Sequence, residues 1–141
     1  MTTRLNPYLG FRGNAKDAME FYQSVFGGEL TLSTFRDAGG GVEDAELDQI
    51  MHSALLTDSG LSLMGSDTPS HMEFTPGTNH QVSLTGDAVD EAELRGYWDK
   101  LSAGGTVTVP LAKAPWGDTF GMCVDGYGIP WMVNIAGAPA A

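Results

Sequence analysis

The sequence predicts an α+β fold made of two βαβββ modules. The chain has 141 residues, of which 42% are apolar and 18% are charged, as in a globular domain of ordinary size. Apolar patterns typical of a strand, a helix and three further strands occur in that order, and the same order occurs again in the second half. Two short motifs recur at similar offsets, which indicates an internal repeat.

The repeat relates the aromatic and glycine residues of 21–28 to those of 97–105, at offsets of 76 and 77, and relates residues 60–64 to residues 128–132, at an offset of 68. In the second pair, a methionine stands four residues after a turn glycine. Each half, with about 65 residues, buries too little surface to be comfortably stable alone. We therefore expect the halves to pack together and the surface between them to bind a ligand.

The first module is predicted from capping, spacing and turn signals. Asn14 is of a residue type that is favoured at the N-cap of a helix, here predicted over residues 15–26, and Gly27–Gly28 end that helix. A loop rich in glycine and acidic residues, with one short helical turn, is predicted over residues 37–49. Alternating apolar residues between turn signals predict four strands, over residues 8–11, 29–36, 50–57 and 61–66.

The second module repeats this order after a surface linker. Its helix is predicted over residues 90–103, and Gly104–Gly105 end it. Its four strands are predicted over residues 80–86, starting over residues 106–109, over 119–124 and over 130–135. The expected organisation is one domain with module one at about 1–68, a linker at about 69–79, module two at about 80–136 and a frayed tail at 137–141.

Charge and cysteine content exclude several classes of partner. The chain has 7 basic and 18 acidic residues and a formal net charge of −11, which disfavours binding to nucleic acid and to anionic membranes. Cys123 is the single cysteine, so no intrachain disulfide forms and a reducing compartment is expected. The sequence shows no apolar leader pattern and no apolar run of about 20 residues. A cytoplasmic protein is expected.

Four stretches of the sequence resemble the PhnB-like branch, often described as demethylubiquinone-methyltransferase-like, of the vicinal oxygen chelate superfamily. That superfamily contains glyoxalases, bleomycin-resistance proteins and extradiol dioxygenases. The matching stretches are Asn6–Phe11 with Asn14–Ala15 and Phe21–Tyr22, Met51–Leu55 with Leu63–Asp67, Leu101–Pro110, and Trp116–Gly121 running to Asp125–Asn134. The resemblance implies paired modules whose sheets curl around a shared cavity, and a homodimer.

The metal enzymes that this resemblance implies take His, Gln or Glu ligands from the first and last strands of each module. In the first module the corresponding positions hold Asn6 or Tyr8 in the first strand and Ser62 or Met64 in the last strand. In the second module they hold His80 and Met132. A thioether is a poor ligand for a hard or borderline divalent cation. We therefore expect no metal or other cofactor, with His80 and His52 as the candidate ligands if a divalent metal is bound after all.

Strand alternation predicts which side chains line the cavity. In the first and last strands, Leu9, Phe11, Trp131, Val133 and Ile135 are expected on the helix side. The expected ligand-binding residues are Asn6, Tyr8, Arg12, His52, Met64, His80, Trp116, Met132 and Asn134.

Each candidate has a plainer alternative. The methionines could fill a core, the histidines could be structural, and Arg12 could form a surface ion pair rather than select a carboxylate or phosphate. Met64 and Met132 are expected to lie near each other. Trp116 is expected either to close the cavity mouth by stacking or to be buried at a dimer interface. Asp118 is predicted to cap a turn.

Three functions stay open at the level of sequence. The first is metal-independent binding of an unidentified small molecule in the cavity between the modules. The second is a metal-dependent lyase, isomerase or dioxygenase with a non-standard ligand set, and the third is a ligand-free structural dimer. The methyltransferase description of the branch has no counterpart in the sequence, because no glycine-rich nucleotide-binding motif is present.

Overall fold

The computed structural model describes residues 3–137, and it confirms the α+β fold with two βαβββ modules. The frayed tail predicted beyond residue 137 lies outside the described residues. The chain divides into two compact units between Pro76 and Gly77. No helix among residues 3–137 is long and apolar enough to cross a membrane.

The first unit forms a four-stranded sheet in the order β1-β4-β3-β2. Strand β1 runs parallel to β4, and the other pairs are antiparallel. One helix packs on β2, β3 and β4, and a short 3₁₀ turn over Asp44–Glu46 occupies the predicted loop. The elements are β1 (Tyr8–Phe11), α1 (Ala15–Phe26), β2 (Glu29–Thr34), β3 (Ile50–Leu56) and β4 (Ser62–Asp67).

The second unit repeats this topology, with the sheet order β5-β8-β7-β6 and β5 parallel to β8. A 3₁₀ turn over Ala88–Asp90 leads into its helix. The elements are β5 (Val82–Gly86), α2 (Glu91–Ala103), β6 (Thr106–Lys113), β7 (Thr119–Val124) and β8 (Pro130–Ile135).

The predicted repeat is confirmed residue by residue in the sheet registers. Met64 lies opposite Ala54 in the first unit, and Met132 lies opposite Met122 in the second. Gly28 and Gly105 also correspond, because a side chain at either position would collide with the backbone where β3 or β7 ends. The two modules therefore have the same topology and equivalent strand registers but different side chains.

The alternating strands bury their helix-facing side chains, as predicted. Leu9 and Phe11 in β1 are buried, and so are Trp131, Val133 and Ile135 in β8. Burying a side chain of this size contributes about 1.5–3 kcal/mol relative to leaving it exposed. These rows fix the register, because a slip by one residue would turn every buried side chain to the opposite face.

The N-terminus of α1 differs from the prediction in one respect. Asn14 stands at the N-cap position, but its side chain makes no capping hydrogen bond. Instead the buried Asp67, at the end of β4, accepts hydrogen bonds from the backbone N–H groups of Gly13 (2.7 Å) and Ala15 (3.0 Å) through Oδ1. Its Oδ2 accepts the N–H of Ile50 at 2.9 Å. The Asp67 carboxylate thus links the start of α1 to the start of β3 and the end of β4.

Several predicted boundaries are corrected. β2 ends at Thr34 rather than at residue 36, and β3 ends at Leu56 rather than at residue 57. β4 spans Ser62–Asp67 rather than residues 61–66, and α2 starts at Glu91 rather than at residue 90. β5 starts at Val82, two residues after His80, which was expected to open it. β6 extends to Lys113 and includes Pro110, which is tolerated because β6 is an edge strand and its pairing with β7 is irregular there.

Candidate functional site

In each sheet, the buried core residues that pack towards the helix lie on one face, and the opposite face carries none of them. In the first unit this surface, called the first face, combines small, polar and thioether side chains that are exposed or half-buried. The register places Met64 between Tyr8 and Ala54, and Ser66 beside Gly10. The first face consists of Tyr8, Gly10, His52, Ala54, Met64 and Ser66.

The strongest polar contact on the first face joins Tyr8 and His52. The Tyr8 hydroxyl lies 3.1 Å from His52 Nδ1, and the two rings are stacked with centroids 5.8 Å apart and an angle of 27° between planes. Tyr8 is 52% exposed. The pair thus offers a phenol and an imidazole side by side, and both can donate and accept hydrogen bonds.

Arg12 is directed away from this face. Its Nη2 donates to the backbone carbonyl of Met72 and lies 3.4 Å from that of Pro69. Its Cζ lies 5.3 Å from the centre of the Phe74 ring, a cation–π arrangement. Nη2 of the guanidinium therefore binds the segment after β4, while the Arg12 side chain stays exposed.

Asn6 lies at the other end of the sheet. It is half-buried and lines a cleft of about 590 Å³ together with Leu5, Leu56 and Leu61. Leu5 is almost fully exposed. The cleft is also lined by Arg4, Thr57 and Ser62, so Asn6 lies beside a cleft of mixed polarity that does not include Tyr8 or His52.

The equivalent surface of the second sheet, called the second face, is also neutral. Met132 lies between Ser83 and Met122, and Asn134 lies between Thr85 and Phe120. All six side chains are half-buried or exposed. The second face consists of Ser83, Thr85, Phe120, Met122, Met132 and Asn134.

Trp116 and Asp118 border the second face. Trp116 is 62% exposed and its ring meets that of Phe120 edge-on, with centroids 5.6 Å apart. Asp118 accepts hydrogen bonds from the Gly137 backbone N–H (2.9 Å) and the Asn134 side-chain amide (3.1 Å). These donors lower the pKa of the Asp118 carboxyl, with Gly137 the largest cause. The Asp118 carboxylate, predicted to cap a turn, instead binds the backbone N–H of Gly137 and orients Asn134.

The side chains at the positions of the implied metal ligands do not match a divalent cation. Tyr8 pairs with Met64 across β1 and β4, and Ser83 pairs with Met132 across β5 and β8. Phenol, hydroxyl and thioether donors are poorly suited to hard or borderline divalent ions. Between residues 3 and 137, no group of three His, Cys, Asp or Glu side chains is placed to hold a metal.

His80 lies apart from the strands. It is exposed, and its Nδ1 lies 3.0 Å from the Asn79 side-chain oxygen. Its predicted place in the first strand of the second module is taken by Ser83, which pairs with Met132. The structure therefore unites Tyr8, His52 and Met64 on the first face and Met132 with Asn134 on the second, and it places His80 and Arg12 elsewhere.

Sequence reasoning missed several members of these surfaces. Met122 and Phe120 follow from the repeat, because the offset of 68 relates them to Ala54 and His52. Phe74 lies in the predicted linker, where no periodic pattern marks it. Its role depends on Arg12, which is distant in the sequence.

Comparisons with known proteins agree with this geometry. Residues 3–134 match the family described as 3-demethylubiquinone-9 3-methyltransferase. The chain belongs to this family. It is also similar to protein PA1353 from Pseudomonas aeruginosa, a solved structure, with 33% identity and a TM-score of 0.86 over 97% of this chain and 100% of that one.

Two further solved structures define the branch and the fold. A putative 3-demethylubiquinone-9 3-methyltransferase, PhnB protein, from Bacillus cereus is 25% identical, with a TM-score of 0.70 over 95% of this chain and 100% of that one. A glyoxylase/bleomycin resistance protein/dioxygenase domain from Frankia is 14% identical, with a TM-score of 0.64 over 99% and 96%. The latter shows the fold alone. The chain thus has the fold of the vicinal oxygen chelate superfamily and is similar to a PhnB protein.

Proposed function

We propose that this PhnB-like chain binds a small molecule on its first and second faces without a metal ion. One observation carries the proposal: the same register position in each sheet holds a half-buried methionine, Met64 and Met132, flanked by neutral side chains. Partly exposed thioethers adapt to irregular apolar ligands. Ligand sites typically combine apolar side chains with a small number of polar groups, and each face combines methionine with three polar side chains.

The chemistry of the two faces supports binding over metal-assisted catalysis. The twelve residues that define the two faces include one imidazole, that of His52, and no carboxylate, amine, guanidinium or thiol group. At the positions of the implied metal ligands, Tyr8 pairs with Met64 and Ser83 pairs with Met132. These side chains offer a phenol, a hydroxyl and two thioethers. A metal-dependent lyase, isomerase or dioxygenase would need at least one carboxylate or further imidazole there.

The family description names a methyl transfer, and we do not extend it to this chain. The proposal carries three further expectations from the resemblance: that one ligand contacts both faces, that Met64 and Met132 lie near each other, and that the protein forms a homodimer. A cytoplasmic location and the lack of nucleic-acid and membrane partners belong to the same proposal, supported by the net charge of −11.

Native mass spectrometry of protein purified without chelators tests the proposal. The expected result is a dimer that carries a small-molecule mass and no metal mass. About one tightly held divalent ion per chain would contradict it, as would a protein that carries and takes up no small molecule.

Single substitutions then assign the site. Met64→Ala and Met132→Ala are expected to reduce retention of that mass. Val89→Ala is the control, because Val89 is 88% exposed and lies outside both faces. Loss of the ligand in the control but not in the face variants would place the site elsewhere.

A further inference from the structure

We infer that the first face takes uncharged, planar ligands that carry a hydroxyl or carbonyl group, rather than carboxylates or phosphates. This inference rests on the proposed function and names the ligand class of the same site. It depends on where Arg12 points, on what Phe74 covers, and on the pair formed by Tyr8 and His52.

The cation that could recognise an anion is already bound within the protein. Arg12 recognition of a carboxylate or phosphate would use its planar fork of N–H donors. One arm of that fork, Nη2, donates to the backbone carbonyl of Met72 and lies within 3.4 Å of the Pro69 carbonyl, and Cζ lies 5.3 Å from the centre of the Phe74 ring. The net charge of −11 adds a long-range repulsion of anions. The six residues of the first face include no Lys or Arg, and Nη2 of Arg12 is occupied by the protein's own carbonyl groups.

The segment held by Arg12 forms a wall at one end of the first face. A Cβ atom placed on Gly10 would lie 3.8 Å from the edge of the Phe74 ring, so Phe74 stands over that glycine. Phe74 is half-buried, and part of its ring is open. A larger residue than glycine at position 10 would occupy the space in front of the ring.

The wall is fixed by backbone contacts rather than by packing alone. The Thr68 N–H donates to the Phe11 carbonyl at 2.6 Å. Ser70 donates to the Glu46 carboxylate through its backbone N–H (2.8 Å) and its hydroxyl (3.0 Å). These bonds, with those of Arg12, hold the chain from β4 to Phe74 against the sheet edge.

The resulting space suits a flat ring system. Tyr8 and Gly10 are two residues apart on β1, about 7 Å, and their neighbours Met64 and Ser66 form the floor between them. Aromatic rings at both ends favour stacking or edge contacts with a planar ligand.

The Tyr8 phenol and the His52 imidazole hydrogen-bond to the polar group of the ligand. Tyr8 and His52 both donate and accept hydrogen bonds. A hydroxyl or carbonyl placed beside them would therefore find a partner.

Two probes that differ in charge test this inference. Binding of 2-naphthol and 2-naphthoate at pH 7 is measured by isothermal titration calorimetry. The expected result is at least tenfold tighter binding of 2-naphthol, with an affinity that changes little with salt. Tyr8→Phe is expected to weaken 2-naphthol binding about fivefold, the size of one neutral hydrogen bond. Tyr97→Phe, which removes a hydroxyl from α2, is the matched control and should leave binding unchanged.

Equal or tighter binding of 2-naphthoate, lost in Arg12→Gln, would overturn the inference and return Arg12 to the ligand site, with the proposed function intact. Binding of neither probe would also overturn it. The proposed function is judged separately, by the mass of the ligand that the purified protein carries.

Discussion

The Asp67 carboxylate accepts the backbone N–H of Ala15, the first residue of α1, from 52 residues further along the chain. The same side chain accepts the N–H groups of Gly13 and Ile50. A helix ordinarily caps its first turn with a local side chain. Here the cap comes from β4, so forming the sheet and starting the helix depend on one another.

Replacing Asp67 should cost more stability than replacing the residue at the N-cap position. Asp67→Ala leaves three backbone donors without their acceptor in a buried site, and we expect the free energy of unfolding to fall by about 2–4 kcal/mol. Asn14→Ala should change it by less than about 0.5 kcal/mol, because the Asn14 side chain makes no capping bond. Urea unfolding followed by circular dichroism measures both. Equal losses would show that the capping role belongs to Asn14.

The acid stability of the protein should depend on Asp118. Its pKa in the folded state is lowered, first by the Gly137 N–H and then by the Asn134 amide. Its stabilising contribution is therefore complete above the unfolded-state pKa of about 4 and is lost as the pH falls through the lower folded value. Asp118→Asn should lose less stability than the unmodified chain between about pH 5 and pH 3. Asp99→Asn makes the same charge change on the exposed side of α2 and should follow the unmodified chain; if it behaves like Asp118→Asn, the assignment is wrong.

Tryptophan fluorescence should report on the border of the second face. Trp116 is 62% exposed, whereas Trp98 is 8% and Trp131 is 1% exposed. Acrylamide at low concentration should therefore quench mainly Trp116, and Trp116→Phe should remove most of the quenchable emission. A similar quenching constant with and without Trp116 would mean that this side chain is shielded in solution.

The Cys123 thiol should be unreactive in the folded protein. It is 1% exposed, and burial, followed by the nearby Asp125 carboxylate, raises its pKa to about 11. At pH 8 the thiolate fraction is then about one in a thousand. Its reaction with Ellman's reagent should be at least about 100-fold slower in buffer than in concentrated urea. Ser59→Cys in an exposed turn supplies the control, and comparable rates for the two thiols would contradict the assignment.

Elements with strong local signals were predictable to the residue. Helix α1 has apolar residues at helical spacing between a polar residue and two glycines, and β7 and β8 flank a turn over residues 125–128. The methionine positions were predictable as well, because Met64 and Met132 follow from the repeat. Neighbouring residues decide the bounds of the helix and the strands, and the internal repeat decides the positions of the two methionines.

Features that depend on distant partners were not predictable. Nothing near Asp67 in the sequence marks it as the acceptor for the start of α1. The orientation of Arg12 depends on carbonyl groups of Pro69 and Met72, more than fifty residues away. His80 was placed in a strand because strand ends carry weak signals, and the structure starts β5 two residues later.

Because its single cysteine is buried, the chain can be labelled at introduced thiols without a competing reaction at the native one. A thiol introduced at one exposed position in each unit, for example Glu20→Cys and Asp99→Cys, would take up nearly all of a maleimide spin label while Cys123 stays unmodified. Pulsed electron resonance on that doubly labelled chain would then give the distance between the two labels, with and without a bound ligand, and Cys123 would not have to be replaced first.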